Sequence, residues 1–153
     1  MPFRRVLIAT DFSEYSDEAA RCGLKVAEAF GGEVMFLHVF DVRHLPIISA
    51  YPYYYGQVNQ QMVDDMRARG EEALAAFVKR HVGERPAERR MVSGAPALQI
   101  LEQATAWGAD LIVIGSRGSG RVHELLGSVV HKVVREARCP VLAVPQPTAD
   151  EKV

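Results

Sequence analysis

The stretch DLIVIGSRGSGRVHELLGSVVHKVVREARCPVLAVP, residues 110–145, sets two apolar runs on either side of a glycine-rich loop and a helical period. Residues 110–116 and 139–145 are apolar at most positions and rich in Val and Ile, as strands buried on both faces of a sheet are. Between them Val129, Val130, Val133, Val134 and Ala137 recur at helical spacing, with Ser128 in the place of an N-cap. That helix has to stop before Pro140, whose ring disfavours helical geometry at Cys139. Two strands joined through a helix run parallel, so this stretch is a βαβ unit.

The same alternation repeats toward the N-terminus. Residues 4–10 (RRVLIAT), 32–40 (GEVMFLHVF) and 88–94 (ERRMVSG) read as three more strands. Ala19, Gly23, Val26, Ala27 and Phe30 mark a helix that Gly31 and Gly32 end. Val63, Met66, Gly70, Ala73 and Phe77 mark a second, with charges on its other face. Ala97, Leu101, Ala104 and Trp107 mark a third, with Pro96 in its first turn and Gly108 after its last. The order βαβαβαβαβ predicts an α/β fold, a single-domain, doubly wound, five-stranded parallel sheet with helices on both faces. The domain is expected over residues 1–147. A loop insertion interrupts it at about 41–61, and a polar tail follows at 148–153. In such sheets ligands bind beyond the carboxyl ends of the strands, where the winding reverses.

Composition excludes several functions. The 153 residues are 48% hydrophobic and 24% charged, with a net charge of −1, so no basic footprint exists for nucleic acid or an anionic membrane surface. The apolar runs fall far short of the roughly 20 residues a membrane helix needs. Cys22 and Cys139 lie far apart in apolar contexts and read as inert thiols, and a cytoplasmic location is expected.

Two familiar phosphate motifs are absent. A Walker A loop needs a Gly-Lys pair before Ser or Thr, and the chain has no such pair. The dinucleotide fingerprint needs GxGxxG in the first strand-to-helix turn. Here that turn, ATDFSEYS, has no glycine, and Gly118-Ser119-Gly120 is followed by His123 where the third glycine belongs. A third geometry remains. Gly115 and Gly118 leave a strand and permit close backbone approach, and Gly127-Ser128 opens a helix whose free N–H groups favour an anion. Arg117 and Arg121 add charge. By spacing alone, a phosphate cradle and a flexible loop with an ordinary serine cap both stand.

Gly115-x-x-Gly118, Gly127-Ser128 and the following VVHKVVREARCPVLAVP resemble the C-terminal half of the universal stress protein family. RRVLIATDFSEYSDEAA is similar to that family's first strand and helix, GEVMFLHVF to its second strand, and GAPALQILEQATAWGADLIVIGSRG to its third helix and fourth strand. The likeness implies a Rossmann-like fold of the adenine nucleotide α-hydrolase type, in homodimers paired through the last strand, here residues 140–145. It also implies ATP, with Mg²⁺, in those members that bind nucleotide. Carried over, Gly115 and Gly118 would approach the phosphates or ribose, and Gly127, Ser128 and Val129 would hold the phosphates; Arg117 is counted with the site for its charge. Asp11 would stand beside the nucleotide, Ala9 and Thr10 would line the same edge, and the Val39 backbone would meet adenine. The loop SGRVHELL between Gly118 and Gly127 has eight residues where the family motif has nine.

The expected function is therefore that of an ATP-binding switch or protector in stress adaptation. A nucleotide-free interaction protein and a slow ATP hydrolase are the alternatives. No catalytic residue is assigned, and the five histidines show no ligand spacing with a third donor. The tyrosines at 51, 53, 54 and 55 read either as a packing surface or as a lid over a base.

Overall fold

The computed structural model describes residues 2–41, 59–117 and 126–147. The five strands are β1 (Arg5–Thr10), β2 (Glu33–Phe40), β3 (Glu88–Ser93), β4 (Leu111–Gly115) and β5 (Val141–Val144). The helices are α1 (Glu14–Phe30), α2 (Gln60–Val82), α3 (Pro96–Trp107) and α4 (Ser128–Glu136). All pairings are parallel and the strand order is β3-β2-β1-β4-β5, so the winding reverses between β1 and β4. This is the doubly wound sheet predicted above. The tyrosine-rich segment, the centre of the glycine loop with Gly118 and His123, and the tail lie outside the described residues.

Each face of the sheet carries its own core. Val6, Ile8, Phe36 and Val113 pack with Ala19, Ala20, Leu74, Phe77 and Val78 of α1 and α2. Leu7, Ala9, Leu37, Ile112 and Ile114 pack with Ala97, Ile100, Val130 and Val133 of α3 and α4. Burying each large side chain contributes about 1.5–3 kcal/mol, which explains why strands covered on both faces show no polar alternation.

The helix ends follow the sequence signals closely. Gly31 and Gly108 close α1 and α3 in the left-handed conformation at φ 62° and 73°. Ser13 caps α1 and accepts from Ser16 N. Three expectations shift. Phe30 is 44% exposed and leans edge-on against Phe3, while Ala27 holds the core position in the last turn of α1. In α2 Ala73 is exposed and Leu74 takes the core position, since the larger side chain removes more apolar area from water. The N-cap of α4 is Gly127, one residue before the expected Ser128, because Ser116 O holds the Gly127 N–H at 2.9 Å.

Gly115 sets the approach of α1 to β4. A Cβ there would stand 2.6 Å from Tyr15 Cβ and 2.9 Å from the Tyr15 carbonyl carbon and oxygen. Backbone atoms cannot swing aside, so the substitution Gly115→Ala should destabilise the fold by about 1–3 kcal/mol through overpacking. Chemical denaturation checks this; an alanine variant as stable as the wild type would contradict the packing role of Gly115.

Candidate functional site

The reversal point is where β1 and β4 end unequally. β1 stays registered with β2 as far as Thr10↔His38, but with β4 only as far as Ile8↔Val113. Beyond that the end of β1 turns into α1, and the end of β4 lies against Tyr15 in the first turn of α1.

The turn out of β1 is held by side chains. Successive amides of Asp11, Phe12 and Ser13 donate to Ser16 Oγ, Thr10 Oγ1 and Asp11 Oδ1, all at 3.0 Å. Ser16 Oγ in turn donates to Asp11 Oδ1 at 2.8 Å. Phe12 sits at φ 65°, a left-handed conformation costing on the order of 1–3 kcal/mol for a side-chain-bearing residue. Its ring stacks 4.3 Å from His38 and 5.9 Å from Phe77, and each such contact returns roughly 0.5–1.5 kcal/mol beyond area burial. Side-chain packing and the three amide bonds thus offset the strain.

His38 Nδ1 lies 2.9 Å from Thr10 O. A carbonyl oxygen only accepts, so Nδ1 carries the proton and the Nε2 tautomer is excluded. Burial lowers the His38 pKa from its ordinary value near 6.5, outweighing the Thr10 bond and the Asp11 and Glu71 carboxylates, which favour the charged ring.

The second wall is the start of α4. Ser116 N donates to Val144 O at 2.8 Å and Ser116 O accepts from Gly127 N, so the helix begins beside the end of β4. Gly127 is extended at φ −65°, and as a glycine it offers the helix no side-chain cap of its own. The first-turn N–H groups, Ser128 to Val130, have no acceptor one turn earlier in the helix itself. They and the exposed Ser128 hydroxyl are anion donors at the positive end of the helix.

The expected residues fall into place unevenly. Ala9, Val39 and Val129 belong to the core face shared by α3 and α4, at its C-terminal rim, with Gly127 and Ser128 at the helix start. Asp11 is exposed at the mouth, and Arg117 is half-buried just past β4. The Thr10 side chain is buried and spent on Phe12 N, so only its backbone lines the edge. Gly115 has its missing Cβ space filled by Tyr15. Ser16, the positive φ of Phe12 and the His38–Thr10 bond were not read from sequence. The spacing of Asp11, Ser13 and Ser16 was the visible signal for the first.

Elsewhere, Asp17 is bonded to Arg80 at 2.5 Å and His81 at 2.8 Å. Burial raises its carboxyl, but these two partners outweigh it and hold the carboxyl below its ordinary value. The Cys139 thiol is pushed up by burial and then by Asp110, in keeping with an inert thiol. A groove of about 520 Å³ lies at the opposite strand ends, lined by Leu24, Ala27, Val34, Val82 and Ala87, and shares no residue with this site. Among the described residues no three His, Cys, Asp or Glu side chains gather as a metal would require. Among them, too, no helix is long and apolar enough to cross a membrane.

Comparison with known proteins agrees with this architecture. The profile of the Universal stress protein family matches residues 2–145. Universal stress protein MJ0531 of Methanocaldococcus jannaschii is 34% identical over 149 residues, covering 95% of this chain and 84% of its own. Among solved structures, hypothetical protein MJ0577 superposes with a TM-score of 0.72 at 26% identity, covering 97% of this chain and 100% of its own. A universal stress protein in complex with cAMP superposes at 0.61 with 26% identity, covering 96% and 100%.

His38 generates a pH prediction. Its folded pKa is depressed, so the protonated ring is disfavoured in the fold. The contribution is fully present above the ordinary value of 6.5 and is lost as pH falls from there through the lower folded value. Urea denaturation at pH 7 and pH 5 should show a larger loss on acidification for the wild type than for His38→Asn. Equal losses in both proteins would contradict it.

Proposed function

This chain belongs to the universal stress protein family, and from that premise we propose that the cleft between the ends of β1 and β4 binds an adenine nucleotide, ATP with Mg²⁺. The observation that carries the reading is the glycine-led start of α4, tied by Gly127 N to Ser116 O at the rim where Ala9 and Val39 form an apolar wall. The donors fit the ligand's parts. The Asp11 carboxylate accepts from ribose hydroxyls, Ala9, Thr10 and Val39 line the base side, and Gly127, Ser128 and Val129 meet phosphate. Gly115, Arg117 and Gly118 complete the phosphate side. The cAMP complex of a relative at 26% identity supports an adenine ligand in this fold. Mg²⁺, when bound, neutralises adjacent phosphate oxygens; the chain's own part is to bind and orient.

The protein acts, in this reading, as a cytoplasmic nucleotide-linked switch in stress adaptation rather than a rapid hydrolase. It is a homodimer through β5. That strand is a sheet edge, and Leu142 on it is 37% exposed, which supports pairing with a second copy. The shortened loop SGRVHELL favours the nucleotide-free alternative, and ligand titration separates the two.

ATP at 100 times its dissociation constant should stabilise the wild type by about 2.7 kcal/mol, a rise of roughly 5–10 °C in Tm. Gly127 has a φ open to any residue, so Gly127→Val should fold normally and lose this rise. No rise in the wild type would contradict nucleotide binding. For assembly, sedimentation at micromolar concentration should give a dimer, and a strict monomer would contradict pairing through β5.

A further inference from the structure

The peptide between Thr10 and Asp11 is held from both sides. Thr10 O accepts from His38 Nδ1 at 2.9 Å, and Asp11 N donates to Ser16 Oγ at 3.0 Å. His38 is registered directly opposite Thr10, and its ring lies 4.3 Å from the Phe12 ring, centroid to centroid. Phe12 keeps its left-handed φ of 65° with that ring and Phe77 packed against it. The imidazole therefore touches the turn at two points, the carbonyl before Asp11 and the side chain after it.

The face of the sheet matters here. Phe36, His38 and Phe40 leave β2 on one side and Leu37 and Val39 on the other, by the period of two. Phe36 packs with α1 and α2, whereas Leu37 and Val39 pack with α3 and α4. His38 thus lies behind the wall that Ala9 and Val39 present to the cleft. A leucine would fill the same space without the desolvation cost of an imidazole. What the imidazole adds is the donor to Thr10 O.

We propose that His38 is a positioning residue for the cleft: through its Nδ1–H bond to Thr10 O and its contact with Phe12, it fixes the Asp11 turn in the conformation that receives an adenine nucleotide. The inference rests on the adenine-nucleotide reading of the cleft. His38 makes no contact with the ligand and acts through the backbone of Thr10 and Asp11. The groups that bear on its charge are Asp11 in the turn and Glu71 on α2.

Three variants separate the donor from the bulk. His38→Asn keeps an N–H near the Nδ1 position, His38→Leu keeps apolar bulk, and His38→Phe keeps a ring. Titration with ATP should leave His38→Asn within about threefold of the wild type and weaken His38→Leu and His38→Phe by about tenfold or more, the scale of one lost hydrogen bond. In the ligand-free protein, amide exchange at Asp11, Phe12 and Ser13 should quicken by about tenfold in the Leu and Phe variants relative to Asn, with β5 amides unchanged. Nitrogen NMR of the wild type should find Nδ1 protonated and Nε2 bare.

Wild-type ATP affinity in His38→Leu would overturn the proposal, as would the opposite tautomer or exchange at residues 11–13 that merely tracks β5. A wild type that binds no ATP overturns the cleft reading itself. The tautomer and exchange measurements then still decide whether His38 holds the turn, because neither needs a ligand.

Discussion

β1 is paired on both edges, but not to the same length: its register with β2 reaches Thr10, while its register with β4 ends at Ile8. That mismatch is the constraint on which the rest of the site depends. It ends the pairing of β1 with β4 before the end of β1, at the position where the winding reverses. Tyr15 fits against Gly115 because β4 carries no side chain there. α4 can start beside the same point because Ser116 bonds both to β5 and to Gly127.

The two sides of the opening are stabilised differently. On the β4 side, main-chain bonds of Ser116 join it to β5 and to Gly127, the glycine N-cap of α4. On the β1 side, hydroxyls, a carboxylate and an imidazole hold three amides and a carbonyl around a strained phenylalanine. A turn fixed in this way is pre-organised, so a ligand meeting Asp11 need not order it first, and binding loses less to entropy. The neutral, half-buried His38 belongs to the same arrangement.

Much of the fold was legible in the sequence because burial on both faces leaves a plain mark. Runs such as LIVI and VLIA cannot be amphipathic helices, and the glycines after Phe30 and Trp107 end their helices as expected. Helix faces were less legible. An alanine such as Ala73 and a leucine one residue on compete for the same wall, and only packing decides between them. Of the candidate site, the sequence shows where Asp11, Gly127 and Ser128 stand in the fold, at the end of β1 and the start of α4. Nothing local in DFSEYS announces that Phe12 turns left-handed, because the rings that hold it, His38 and Phe77, come from β2 and α2. Nor does the sequence around Gly115 announce that Tyr15 of α1 packs against it.

Binding of an adenine nucleotide between the ends of β1 and β4 is read directly by following backbone amide resonances during titration with ATP. Saturable shifts are expected, confined to Ala9 through Ser13, Val39, Ser116, Arg117 and Ser128 through Val130 among the described residues, with the groove around Leu24 and Val82 silent. Shifts centred on that groove, or none at saturating ATP, would contradict it.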